Sequence, residues 1–357
     1  MDAPRRMQLD SIPEPPAAAW LGLVQRRVTD HLTDLLALPD EAGLDPRWTL
    51  ALDEVRAFAL RPAKRLRPAL VLLGHGLARP DGPVVDGVWR FAASVELLHT
   101  FLLIHDDVAD VADTRRGGPA LHHRLGEGRR GGDLAIVVGD HLFARAIEGM
   151  LTSRIPRAAE ALRYYLRVCR LTAVGQFLDL AQSGAALSDV TLFQTLKVAL
   201  LKTARYGFAA PLVSGALLGG ADPGLEAMLE RAGRQMGIAF QLRDDLLGLF
   251  GSSARTGKPT GDLAAGKPTF PIIAAYVRAP VAVRHELDAL WSAGAHDETA
   301  RVRVLELVEL HGGRAAAERA IERASRAARR TLRRLPPTTG CRALLDELID
   351  DLAERTA

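Results

Sequence analysis

Asp106, Asp107 and Asp110 stand together at the end of an apolar run that begins at Glu96, and Arg115 and Arg116 follow them. On a helix, Asp106 and Asp110 lie one turn apart on one face, with Asp107 beside them. Aspartate inside a helix costs about 0.5 kcal/mol or more relative to alanine. Carboxylates about 4 Å apart also repel, by about 1 kcal/mol in water and about 4 kcal/mol at an effective dielectric of 20. A nearby cation offsets both costs. Three hard oxygen donors beside arginines suit Mg²⁺, which binds through one or two carboxylates plus substrate phosphates. The plainer alternative is a solvated acidic helix end. Against it, the long apolar residues directly before the acids predict a buried helix, and a second acid pair follows downstream.

That second pair is Asp244-Asp245, in the segment Phe240-Gln-Leu-Arg-Asp-Asp-Leu-Leu-Gly248. Gln241 lies three residues before Asp244, on the same helix face, and a loop rich in glycine and lysine follows. Two acid-bearing helix ends, each trailed by basic residues, read as walls of one site that clamps a diphosphate through metal ions. Lys64 and Arg67 open another helix, where cations oppose the helix dipole unless an anion is present. A solvated basic turn is an equally good account of them in isolation. His99, seven residues before Asp106, taken alone reads as a core histidine. Lys202 ends an apolar run, where it could serve as a partner of the helix dipole. Gln176 and Asp179 interrupt an apolar helix and are expected to face a cavity or a buried partner.

Together these segments carry a resemblance. Lys64-Arg-Leu-Arg-Pro68, Glu96-Leu-Leu-His99, Asp106-Asp-Val-Ala-Asp110 with Arg115-Arg-Gly117, Gly175-Gln-Phe-Leu-Asp-Leu180, Lys202-Thr203 and Gln241-Leu-Arg-Asp-Asp245 occur in one order. In that order the chain resembles the trans-isoprenyl diphosphate synthases of the polyprenyl synthetase family, from about Lys64 to about Pro271. The resemblance implies a single all-α bundle with a deep central cavity. It implies Mg²⁺, several ions per site and replaceable by Mn²⁺, on Asp106, Asp107, Asp110, Asp244 and Asp245. It assigns Lys64, Arg67, His99 and Arg116 to isopentenyl diphosphate. It assigns Arg115, Lys202 and Lys258 to an allylic diphosphate, with Thr203 and Gln241 along the path of the cation. Asp106, Asp110 and Lys202 are the expected catalytic residues, and a homodimer the expected assembly. The chain departs from the family pattern in Pro62-Ala63, which replaces Gly-Gly, in Gly248, which replaces a third aspartate, and in a shorter Gly257–Lys267 loop. A class I terpene cyclase on the same fold is the first alternative, although Asp244–Gly248 lacks that class's Asn/Asp, Ser/Thr and Glu spacing. A non-catalytic partner subunit, suggested by Gly248, is the second.

The elements that position these groups follow from composition. The chain has 357 residues, 48% hydrophobic and only 5% aromatic. Alanine, leucine and arginine dominate, which favours helix over strand. A net charge of +3 and a pI of about 9.1 reflect a slight arginine excess and imply no nucleic-acid partner. The two cysteines fit no metal spacing and read as reduced thiols of a cytoplasmic protein. The charged first ten residues lack a signal peptide's apolar run, and no uninterrupted apolar stretch approaches 18 residues, so no transmembrane segment is expected. Pro13-Glu-Pro-Pro16 predicts a disordered segment over residues 1–16, followed by a single helical domain over 17–357. Helices are expected from Ala17, over Trp48–Leu60, from the Arg61–Pro68 segment, and over Asp133–Met150, Ala158–Leu180 and Ser188–Thr203. The glycine-rich Arg115–Gly132 stretch, with His122 and His123, reads as a lid. A basic face after Glu298 reads as a solvated helix, with a membrane or nucleic-acid surface as the alternative.

Residues one turn deeper than Asp106 set the cavity floor in this reading. They are Phe101 and Leu102. A ring at Phe101, a smaller Leu102 and no insertion within the first acidic motif resemble geranylgeranyl diphosphate synthases, with farnesyl diphosphate as the next expected product. Phe101→Ala is therefore expected to lengthen the product. An unchanged product distribution by chromatography would reject the floor assignment.

Overall fold

The computed structural model describes residues 17–251, 263, 265–292, 298–335 and 340–354. Residues 1–16, expected to be disordered, and Lys258 lie outside the described residues. In chain order the helices are α1 (Ala17–Leu35), α2 (Pro46–Ala59), α3 (Leu66–Ala78), α4 (Asp86–Ala109), α5 (Leu121–Leu125), α6 (Gly128–Leu151), α7 (Ala158–Gln182) and α8 (Leu192–Val198). A π-helix (Ala199–Ala209) comes next, then α9 (Ala210–Leu218), α10 (Pro223–Phe250), α11 (Phe270–Arg278), α12 (Val281–Ser292), α13 (Glu298–Leu310), α14 (Gly313–Leu332) and α15 (Gly340–Glu354). The only strands among the described residues are β1 (Thr114–Arg115) and β2 (Gly118–Pro119), which pair antiparallel. The expected all-α class is therefore what the chain adopts. Contacts divide the chain into two compact units, each described by itself.

The first unit draws on residues 1–164, 211–226 and 336–345. Its spine is α4, on which α1, α3 and α6 pack. Trp20, Val24, Val28, Leu32 and Leu35 recur every three or four residues along α1 and are buried, as an amphipathic helix requires. Asp45 caps α2 by accepting from the Arg47 backbone N–H at 2.8 Å. By length and composition α4 could cross a bilayer, yet 67% of its apolar window is packed inside the protein, as in a core helix.

The stretch Arg115–Gly132 is not the loop expected from its glycines. β1 and β2 form a hairpin closed by Arg116-Gly117, α5 follows, and α6 begins at Gly128. Arg116 and Gly117 have φ of 52° and 74°, the signature of a type I′ turn. Arg61 ties the hairpin down by donating to the carbonyls of Arg115 (3.0 Å) and Pro119 (2.7 Å). Glycine counts alone do not reveal such a clamp.

The second unit draws on residues 165–210, 227–335 and 346–357. Its core holds Leu249, Ile272, Ile273, Leu287, Leu307 and Val308 in one cluster, and Ala239, Leu242, Leu246, Ala317 and Ile321 in another. The helix expected over Ser188–Thr203 is instead α8, started by a Thr191–Gln194 capping box, and then the π-helix. π-Helices are rare and concentrate at functional sites. This one lies so close to α7 that a Cβ on Gly175 would overlap the backbone of Leu201 and Lys202. Both cysteines are free. Burial pushes the Cys169 thiol up to about 12 and the Cys341 thiol up to about 11, so both stay protonated near neutral pH.

Candidate active site

In the first unit, α4 delivers its acids at its C-terminal end. Asp106 and Asp107 occupy the last turn and Asp110 is the C-cap, at φ −88° and ψ 0°. Carboxylates there add to the negative end of the helix dipole, which strengthens the demand for cations. Arg115 supplies one. Its Nε donates to Asp107 Oδ1 at 2.7 Å, a terminal nitrogen reaches the same oxygen, and Asp106 Oδ2 lies 3.9 Å away. The Asp107 side chain is 1% exposed and that of Asp106 25%. Asp110 is exposed. Burial pulls on the Arg115 guanidinium, but the bonds from Asp107 and the charges of Asp107, Asp106 and Asp110 hold its pKa above the ordinary value.

Earlier on α4 lies a cluster of cationic side chains. His99, on α4, has its pKa pushed well below the usual histidine value, first by burial and then by Arg67, Arg116, Arg115 and Arg65. The imidazole is therefore neutral near pH 7 and sits in the field of four guanidinium groups. Glu96, one turn earlier, holds two of them: Arg65 Nη1 donates to its Oε1 at 2.8 Å and Arg116 Nη2 to the same oxygen at 2.7 Å. The Arg65 and Glu96 side chains are each 2% exposed. Burial, with repulsion from Arg65 and Arg67, lowers the Arg116 pKa against the pull of Glu96. The other terminal nitrogen of Arg116 is buried and makes no hydrogen bond to a described residue. A cluster with more cations than carboxylates, and an unused buried donor, fits a bound anion. Lys64 is exposed just before α3, on a cleft of about 340 Å³ lined by Gln25, Thr29 and residues 60–65.

The second unit holds its groups by two short chains of contacts. Asp179 lies one turn after Gly175 on α7. The glycine admits the Lys202 backbone, and the aspartate takes the Lys202 ammonium at 2.7 Å, with Lys267 3.7 Å from the same oxygen. Thr203, next on the π-helix, donates to Gln241 Oε1 at 2.5 Å, and Gln241 Nε2 donates to Asp245 Oδ1 at 2.8 Å. Asp245 is buried and Asp244 half-buried. The two acid pairs thus share one plan: the second aspartate is drawn inward by a fixed donor and the first keeps contact with solvent.

Among the described residues no three His, Cys, Asp or Glu side chains are gathered to hold a metal unaided. Mg²⁺ takes few protein carboxylates and completes its shell with phosphate and water. The acids at the C-terminus of α4 fit such an ion, since hard oxygen donors and a negative helix end both favour it.

Phe101 and Leu102 are half-buried on α4. The Phe101 ring packs against Phe143 at 5.2 Å and His105 at 4.6 Å between centroids. Sequence reasoning missed Arg61, Arg65, Glu96 and the pairing of Asp179 with Lys202. Glu96 carried a signal, because a glutamate between buried apolar neighbours demands a buried counter-charge. Its partners lie 31 and 20 residues away, beyond any local pattern.

Comparison with known proteins places this geometry. Residues 51–308 match the family described as Polyprenyl synthetase. A geranylgeranyl diphosphate synthase of Mycobacterium tuberculosis is 38% identical over 317 residues, covering 87% of this chain and 85% of its own. A short chain isoprenyl diphosphate synthase of Methanothermobacter thermautotrophicus is 36% identical over 251 residues, covering 70% and 73%. Among solved structures, the geranylgeranyl pyrophosphate synthase of Corynebacterium glutamicum, complexed with isoprenyl diphosphate and magnesium, superposes with a TM-score of 0.82 at 31% identity, covering 94% of this chain and 99% of its own.

The buried ion triad generates a direct test. Glu96→Ala leaves the Arg65 guanidinium buried without its counter-charge and is expected to cost about 3–5 kcal/mol in denaturant unfolding. A loss below about 1 kcal/mol would show that the triad does not hold this unit.

Proposed function

Because the chain belongs to the polyprenyl synthetase family and is a prenyltransferase, we propose that it joins isopentenyl diphosphate head-to-tail to an allylic diphosphate, with geranylgeranyl diphosphate as product. The observation that carries this reading is the cluster of cationic side chains around neutral His99, earlier on α4 than its acidic end. Lys64, Arg67, His99 and Arg116 hold the diphosphate of isopentenyl diphosphate. Arg115 and Lys202, with Lys258, bind the allylic diphosphate through charge-assisted hydrogen bonds. Mg²⁺, when held by Asp106 and Asp110 and by Asp244, supplies positive charge to the leaving diphosphate oxygens. Asp107 and Asp245 aim the other groups, Asp107 by fixing Arg115 and Asp245 by ending the Thr203–Gln241 chain.

The allylic carbon–oxygen bond breaks and pyrophosphate departs. The resulting cation is attacked by the double bond of isopentenyl diphosphate, forming one carbon–carbon bond. The proton then lost goes to the departing pyrophosphate. Thr203 and Gln241 flank the cation, and apolar walls exclude the water that would quench it. Phe101, backed by Phe143, limits the growing chain. The 38% identical geranylgeranyl diphosphate synthase supports that product.

We place two copies in the working assembly, on the strength of exposed Leu134 and Val137 on α6 and exposed Val174 and Phe177 on α7. A single-chain mass by light scattering would remove that part of the proposal.

Purified protein with Mg²⁺, labelled isopentenyl diphosphate and each allylic primer tests the reaction. Elongation is expected, falling at least about a hundredfold in Asp106→Ala and in Asp244→Ala. A cyclic hydrocarbon would point to a cyclase, and silence with every primer to an accessory subunit.

A further inference from the structure

The second unit carries a surface that the reaction does not use. Between α8 and the start of the π-helix on one side and α10 and α14 on the other lies a groove of about 400 Å³. Its walls are Phe193, Leu196, Leu200 and Ile238, and Lys197 and Arg323 stand at it. Phe193 is 74% exposed, which is costly for a ring of that size in water. Beneath the groove runs the core cluster of Leu242, Ala320 and Ala324, so its floor is rigid.

The charge around it is one-sided. Arg319, Arg323 and Arg330 fall on a single stripe of α14 by their spacing of four and seven residues. Neither these three nor Lys197 makes an ion pair with a described residue, whereas Glu318 and Glu322 on the same helix are taken by Arg314 and Arg326. A ring standing out of an apolar groove, bordered by uncompensated cations, has the form of an interfacial membrane contact. The apolar side chains enter the acyl boundary while the arginines meet anionic headgroups.

We propose that this face of α8, α10 and α14 docks the enzyme on a bilayer rich in anionic phospholipid. The charge complementarity selects that occupant. Docking would hold the enzyme where an amphiphilic prenyl diphosphate partitions on release. That purpose rests on the proposed function, but the binding itself does not.

The test is flotation of the full chain with vesicles of phosphatidylcholine alone or with about 30% phosphatidylglycerol. The chain is expected to float with the anionic vesicles only, and to be released as salt shortens the Debye length. The double variant Lys197→Glu/Arg323→Glu and the variant Phe193→Ser should each lose at least about tenfold in vesicle affinity, with circular dichroism and elongation of soluble substrates unchanged. Should either variant fold poorly, Arg319→Gln/Arg330→Gln on the exposed stripe takes its place, with the same expected loss. Equal recovery with neutral vesicles, no flotation, undiminished binding by the folded variants, or retention of a duplex nucleic acid without vesicle binding would each overturn the proposal. Failure of elongation with intact flotation would strike only the catalytic reading.

Discussion

One carboxylate in an apolar helix governs the chemistry of the first unit. Glu96 is surrounded by buried side chains on α4 and accepts from both Arg65 and Arg116. Ionised groups leave water only when paired and hydrogen-bonded. The three residues therefore fix one another, and in doing so join the start of α3, the middle of α4 and the turn of the β-hairpin. Arg67, His99 and Arg115 are placed by those same three segments. The cluster of guanidinium groups around His99 is thus an outcome of how a buried charge is satisfied.

A second economy concerns the acids. In each pair the inner aspartate is spent on orientation, held by Arg115 in one case and by Gln241 in the other. The outer members keep more contact with solvent. This division limits like-charge repulsion, because two neighbouring carboxylates never compete for the same exposed space. Only the first pair ends its helix, as the sequence suggested for both; Asp244 and Asp245 lie inside α10, which runs on through buried Leu246 and Leu249 to Phe250.

What could be read from the sequence, and what could not, separates along the range of the forces involved. The helices of the bundle were legible from apolar periodicity, as Val24 and Val28 show on α1. The acid motifs were legible because like charges on a helix are locally expensive. Asp179 was legible as a polar residue needing a partner, though Lys202 could not be named as that partner. The π-helix was invisible, since its residues carry no local pattern that separates it from an α-helix and its neighbour at Gly175 on α7 is distant in sequence. The hairpin was hidden for a different reason. A type I′ turn usually advertises itself by Asn-Gly, and here Arg116 stands where asparagine would.

That arginine carries a consequence. At φ 52° its backbone lies in a region that costs a non-glycine residue about 1–3 kcal/mol, and asparagine or glycine would relax it. The position is thus pulled in two directions, by conformational ease and by electric charge. Selection for heat resistance alone therefore meets two opposed terms at one residue: relaxing the turn gains about 1–3 kcal/mol, while losing the guanidinium leaves Glu96 with one buried counter-charge fewer, at a cost of about 3–5 kcal/mol.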